Sequence, residues 1–255
     1  MARQPPTRDV APAVQKLRVQ YAKRGRLRFT SHRDIQRAFE RALRRADVPM
    51  AYSAGFSPHP KVSYAGAAPT GAASEAEYLE ISVTQVLDPT KVTQALDRGL
   101  PPGLDIVRVE VAEPGALADR LQASCWEIEL PGVSPQEAQH AVAGFLGEAE
   151  VLVERMTKSG IRRFDARGPV VRLAATAAES GDQPRCAILR LVVRHETPAV
   201  RPDDVLTALR TVASLTPPVP PKVTRLAQGP LEQENGAVAD PLAPARACDG
   251  DAAGA

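Results

Sequence analysis

The sequence predicts an α+β protein made of two tandem ferredoxin-like domains, because the order strand, helix, strand, strand, helix, strand can be read twice along its 255 residues. Three observations support this: strands with alternating apolar residues, helices that open on a capping residue or proline, and Gly/Pro punctuation between them. "LRVQYAK", from Leu17, alternates as a strand, and "RGR" turns the chain toward "LRF". "SHRDIQRAFERALRRAD" follows as a helix, with Ser31 as N-cap, Asp34 three residues on, and Val48-Pro49 as its stop. "MAYS" is expected as the second strand. It leads into the stiff loop "GFSPHPKVSY" at residues 55–64 and then into "EAEYLEISV", whose Tyr78, Leu79, Ile81 and Val83 read as the third strand. "DPTKVTQALDRGLPPG" is a helix with Asp88 as cap and Pro89 in its first turn, and "LDIVRVEVAE" is the closing strand.

From Ser124 the order begins again. "CWEIELPG", "VLVERMTK", "VVRLAATA", "CAILRLVVRHE" and "KVTRLAQ" read as strands, one more than in the first half. "SPQEAQHAVAGFLGE" and "RPDDVLTALRTVAS" read as helices. The first domain is expected at 16–113 and the second at 124–228, each an antiparallel sheet carrying helices on one face. The short connection "EPGALADRLQAS" leaves a single larger α+β domain as the alternative. Residues 1–15 are expected to be a disordered N-terminus. Residues 229–255, rich in Ala, Gly, Pro and Asp, are expected to be a disordered acidic tail, since from Glu232 on five acids face only Arg246.

Hydrophobic residues make up 44% of the chain, enough to fill a core, and no apolar run approaches the roughly 18 residues of a membrane-spanning helix. The N-terminus has no apolar centre of the kind a secretory signal needs, so a cytoplasmic protein with no membrane contact is expected. Cys125, Cys186 and Cys248 stand about 60 residues apart with no C-x-x-C pair, which suggests neither a metal site nor a disulfide framework. No motif for a cofactor is present either.

Charge is distributed unevenly. Between Lys16 and Tyr64, twelve Lys and Arg face three acids, a surplus that favours a polyanionic partner such as RNA. At 100 degrees per residue, Ile35, Phe39, Ala42, Leu43 and Ala46 gather on one side of the first helix, while Arg33, Arg37, Arg41 and Arg44 gather on the other. These four form an expected phosphate-contacting ridge, the alternative being a solvated face neutralised by Glu40 and neighbouring acids. Lys23, Arg24, Arg26 and Arg28 on the preceding turn are expected to extend it. Arg26, His59 and Lys61 complete the expected RNA-binding set, with the two prolines around His59 holding its backbone. His32 and His59 are the candidate general acid–base groups, and Glu75, Glu77 and Glu80 are the carboxylates that could stand near His59, the first two sharing one strand face and Glu80 lying on the other. His140 is placed on a polar helix face and His195 at a strand end, neither with a partner pattern.

The segments "SHRDIQR", "RALRRADVPMAYSAGFSPHPK" and "GAASEAEYLEI" resemble the N-terminal part of the uncharacterised radical SAM-linked proteins, a domain of unknown function. "SGIRRFDARGPV" is the most similar stretch of the second half. The resemblance implies a partner, a radical S-adenosylmethionine enzyme encoded beside such a protein or fused to it. The C-x-x-x-C-x-x-C ligands of that chemistry are absent here, so the chain is similar to the accessory half. "SGIRRFDARG" would add Lys158, Arg162, Arg163 and Arg167 to the basic surface, with Asp165 able to pair with one of them. The expected function is a non-catalytic accessory protein binding an RNA such as tRNA. An endoribonuclease-like enzyme and a pure protein-docking subunit are the alternatives.

Overall fold

The computed structural model describes residues 11–54, 56–158, 160–177 and 186–243. It is a mixed α+β structure whose main sheet has eight strands. In the first half, β1 (Gln15–Lys23), α1 (His32–Arg45), β2 (Val62–Ala65), β3 (Ala73–Val83), α2 (Pro89–Gly99) and β4 (Leu104–Val111) follow in order. Their strands pair antiparallel as β4-β1-β3-β2. After the short α3 (Leu117–Arg120) come β5 (Ala123–Pro131), α4 (Pro135–Gly147), β6 (Leu152–Thr157), β7 (Gly160–Asp165), β8 (Val170–Ala177), β9 (Cys186–Arg194), α5 (Pro202–Ala213) and β10 (Lys222–Gly229). Here the antiparallel order is β10-β5-β9-β8, while β6 and β7 form a separate two-stranded hairpin.

The two halves do not carry separate sheets, as the sequence suggests. β10 pairs in parallel with β3 at Thr224↔Ala73 and Arg225↔Ser74, which makes one mostly antiparallel sheet. The reason lies in strand length. β2 has four residues and covers only Tyr78 to Ile81 of β3, so the start of β3 keeps an open edge that β10 occupies.

Alternation along each strand divides the core. Leu17, Val19, Tyr21, Leu79, Ile81 and Val83 pack against α1 and α2, and Ile128, Leu130, Leu189 and Leu191 pack with α4 and α5. On the opposite face of β3, Ala76 and Tyr78 meet Leu117, Leu121 and Leu242.

Several local expectations change. "MAYS" is not a strand: Met50 and Tyr52 make only isolated bridges, to Val83 and Pro60, and β2 lies inside the stretch expected as a loop. β7 falls in "GIRRFD", where Phe164 alone is buried, so no apolar alternation marks it. Residues 229–243 are packed rather than disordered. Leu231 bridges Val238, Asp240 is ion-paired with Arg108, and Leu242 is buried, each an anchor that a composition of Ala, Pro and Gly conceals. At the other end, residues 11–14 lead directly into β1, and the Val14 N–H donates to the Val83 carbonyl at 2.9 Å. The remaining expected disorder, at 1–10 and 244–255, lies outside the described residues, as does Cys248.

Candidate anion-binding face

α1 forms where Ser31 takes the cap. Its Oγ accepts the Asp34 N–H at 3.2 Å, and the Asp34 carboxylate sits in the first turn, where the helix dipole favours negative charge. Ile35, Ala38, Phe39, Ala42 and Leu43 are buried. Phe39 packs edge-on to Tyr21 at 4.7 Å, and Ala42 sits so close to Gly99 of α2 that a Cβ there would lie 3.3 Å away. These contacts fix the rotation of the helix about its axis and leave Arg33, Arg37, Arg41 and Arg44 exposed.

The ridge carries little local neutralisation. Arg37 meets Asp34 at 3.4 Å, with both side chains 57% exposed, and a surface pair of this kind contributes about 0–1 kcal/mol. Among the described residues no acid pairs with Arg33, Arg41, Arg44 or Arg45. Glu40 stands within the ridge, three residues after Arg37 and four before Arg44, yet bridges neither.

Residues 51–54 and 56–61 run back to back as a small hairpin beside α1. The Lys61 N–H donates to the Ala51 carbonyl at 2.8 Å, the Ser53 N–H to the His59 carbonyl at 2.9 Å, and the His59 N–H to Ser53 Oγ at 3.1 Å. Between this hairpin and α1 lies a cleft of about 440 Å³ lined by Glu40, Leu43, Arg44, Asp47, Tyr52 and His59. Arg44 and His59 are thus brought together, and Lys61 is exposed at the base of the same hairpin.

Arg26 is not brought to this cleft. It is exposed in a 3-10 turn (Gly25–Phe29) ahead of the N-terminus of α1, whereas Arg44 is near the C-terminus, eleven residues and about 16 Å beyond Arg33. His32 is also at the far end. Its ring meets Tyr64 edge-on at 5.1 Å and its Nε2 lies 3.1 Å from Gln36 Nε2. Twelve residues, about 18 Å of helix, separate His32 from Arg44, so His32 and His59 do not converge on one reacting group.

The expected basic extension contracts. Lys23 is 2% exposed and donates to the carbonyls of Ala68 and Pro69 at 3.3 Å, and burial pushes its pKa down. Arg24 is held by Glu75 and Asp105, with Nε 2.8 Å from Glu75 Oε1 and Nη1 2.8 Å from Asp105 Oδ2; the Glu75 hydrogen bonds raise its pKa. The half-buried Arg28 lies over the Phe29 ring at 4.7 Å. The three expected carboxylates are engaged elsewhere and none lines the cleft beside His59: Glu75 binds Arg24, Glu77 is buried against Arg225 at 2.5 Å, and Glu80 meets Arg18 at 3.1 Å.

In the second half Lys158, Arg162 and Arg163 are exposed on the β6–β7 hairpin, while Arg167 is half-buried over Phe145. Asp165 pairs with none of their side chains. It accepts backbone N–H bonds from Val151, Arg167 and Gly168 at 2.7–2.9 Å, which outweigh the upward push of burial and hold its carboxyl below the usual range. His140 is exposed on α4. His195 is tied into the fold, with Nδ1 2.7 Å from the Leu121 carbonyl and Nε2 3.1 Å from Ser124 Oγ.

Sequence reasoning missed Glu40 and Asp47 as cleft residues, and Arg45 with Arg98, which line a second cleft of about 360 Å³ between α1 and α2. The helical wheel could have located Arg45 beside the ridge, while Tyr52, with Phe56 and Tyr64, is one of the few aromatics the sequence offers for stacking near the basic segment, core packing being the alternative. Among the described residues no group of three or more His, Cys, Asp or Glu could hold a metal ion, and no helix is long and apolar enough to cross a membrane.

The class is therefore a mixed α+β protein with a mostly antiparallel sheet and a basic helical face. Residues 16–202, most of the chain, match the family described as "Uncharacterized protein conserved in bacteria (DUF2344)", and the protein belongs to it. No curated protein matches the chain.

Proposed function

We propose that this protein is a non-catalytic RNA-binding accessory protein, working in the cytoplasm beside a radical SAM enzyme. The observation that carries the RNA reading is the ridge of Arg33, Arg37, Arg41 and Arg44 on one rigid helix, three of its four guanidiniums having no acid partner among the described residues. Guanidiniums in this state gain most from phosphate, which they bind in a bidentate manner and which ends their mutual repulsion. We assign His59, which lines the cleft with Arg44, and the exposed Lys61 to the same binding surface. The radical enzyme enters from the resemblance of "SHRDIQR" and "GAASEAEYLEI" alone. An endoribonuclease is disfavoured, because His32 and His59 stand at opposite ends of α1.

We read the orders β4-β1-β3-β2 and β10-β5-β9-β8 as two ferredoxin-like units fused edge to edge, with the β6–β7 hairpin inserted in the second. That hairpin suits the protein partner: Met156 and Ile161 face each other across it, 72% and 66% exposed. The test is binding of the purified full chain to tRNA. The wild type binds with steep salt dependence, and Arg37→Glu with Arg41→Glu abolishes binding. Affinity unchanged by the double replacement overturns the reading, and nuclease-resistant co-purification with the radical enzyme without RNA binding favours pure docking.

A further inference from the structure

We infer that the cleft between α1 and the hairpin that carries Tyr52 and His59 receives a single unpaired guanine base of the bound RNA. The inference rests on the phosphate-binding reading of the ridge and adds the identity of the nucleotide beside it.

Both signs of charge line the cleft. Arg44 continues the ridge, whereas Glu40 and Asp47 are carboxylates with no ion pair among the described residues. A surface serving phosphate alone gains nothing from them. A nucleotide uses both, the phosphate meeting the guanidinium and the base meeting the carboxylate.

Carboxylate geometry selects the base. Guanine offers two parallel donors, N1–H and the N2 amine, which one carboxylate accepts together, as it would a guanidinium fork. Adenine and cytosine place a ring-nitrogen acceptor beside their single amine, and uracil flanks its one N–H with two carbonyls, so each sets an acceptor against a carboxylate oxygen. Glu40 is the residue for this role, because it stands one helical turn before Arg44 on the same side of α1, so base and adjoining phosphate are reached together.

Tyr52 supplies the stacking face. It is 43% exposed in the cleft wall, and its backbone bridges Pro60. Pro58 and Pro60 fix the backbone on either side of His59, and the two hydrogen bonds between Ser53 and His59 close the hairpin, so the wall is formed before any ligand arrives. The volume, about 440 Å³, is in the range of sites for ligands of nucleotide size.

The test measures fluorescence anisotropy of the full chain with three labelled RNAs: heptauridylate, and the same heptamer with its central uridine replaced by guanosine or by adenosine. The guanosine heptamer binds about tenfold more tightly than the other two, the discrimination of one bidentate base contact. In Glu40→Gln the preference falls to about twofold or less, while heptauridylate binds as well as before or better, since a negative charge has left the ridge. Tyr52→Ala weakens the guanosine heptamer and leaves heptauridylate and the adenosine heptamer within about twofold of wild type. Equal binding of all three RNAs by the wild type, or a guanosine preference that survives Glu40→Gln, overturns the guanine assignment and leaves the ridge reading standing. Binding of none overturns both.

Discussion

Arg18, Arg24, Arg108, Arg155, Arg190 and Arg225 each hold an acid, whereas Arg33, Arg41, Arg44 and Arg45 on α1 hold none among the described residues. The first group ties the fold together and the second carries the proposed RNA contacts, a difference that can be measured. Arg225, 3% exposed, binds Glu77 and the Gly66 carbonyl and lies over Trp126. Arg225→Ala takes the ion-pair partner from the buried Glu77, leaving it the Ala68 N–H and the field of Lys23, and lowers stability by about 3 kcal/mol in urea unfolding. Arg41→Ala, on the solvent side, changes it by less than about 0.5 kcal/mol. The sequence could not divide these groups, because Arg24 meets Glu75 and Asp105 from 51 and 81 residues away, and nothing local distinguishes it from Arg26. His195 gives the pH prediction. Partial burial of its ring lowers its pKa below the usual 6.5, the Leu121 carbonyl opposing the shift. The unfolded chain then binds the proton more readily than the fold does, so this contribution is complete above the unfolded value and declines as pH falls below it. The urea midpoint of the wild type therefore drops between pH 7 and pH 5.5 by more than that of His195→Gln.

At the scale of elements, α1 was the most legible. Its cap, Ser31 with Asp34, and its 3.6-residue spacing of Ile35, Phe39 and Leu43 are local signals, and the structure places them as the spacing requires. Ser31→Ala removes the cap bond and costs about 1 kcal/mol by thermal or urea unfolding, with the ridge still exposed. β2 and β7 were not legible. β2 is "VSYA", four residues whose pairing with β3 is decided by an edge left open elsewhere, and β7 buries only Phe164. The hairpin that faces α1 was hidden for another reason. Its turn has none of the Asn-Gly or Asp-Gly dipeptides that announce one, and it closes instead through Ser53 and His59. The candidate site was thus half readable, the arginines from helical periodicity and the cleft only from the fold.

For the whole molecule, the β3–β10 pairing makes one sheet of the two halves, and the buried Lys23, Glu77, Arg225 and Gln228 gather where they meet. The mixed α+β class with mostly antiparallel pairing followed from sequence pattern, but the fusion did not, since it depends on residues at the start of β3 left uncovered by β2. This joint gives α1 a rigid base, so a ligand on the ridge meets a preformed surface. The central claim is that this surface binds RNA through phosphate contacts made by α1. The most direct measurement is the tRNA affinity of the full chain across a salt series, wild type against Arg37→Glu with Arg41→Glu. Four phosphate contacts predict a log–log slope of about −3 for the wild type and no measurable binding by the double variant. Salt-independent binding, or equal affinity in the two proteins, would contradict the account.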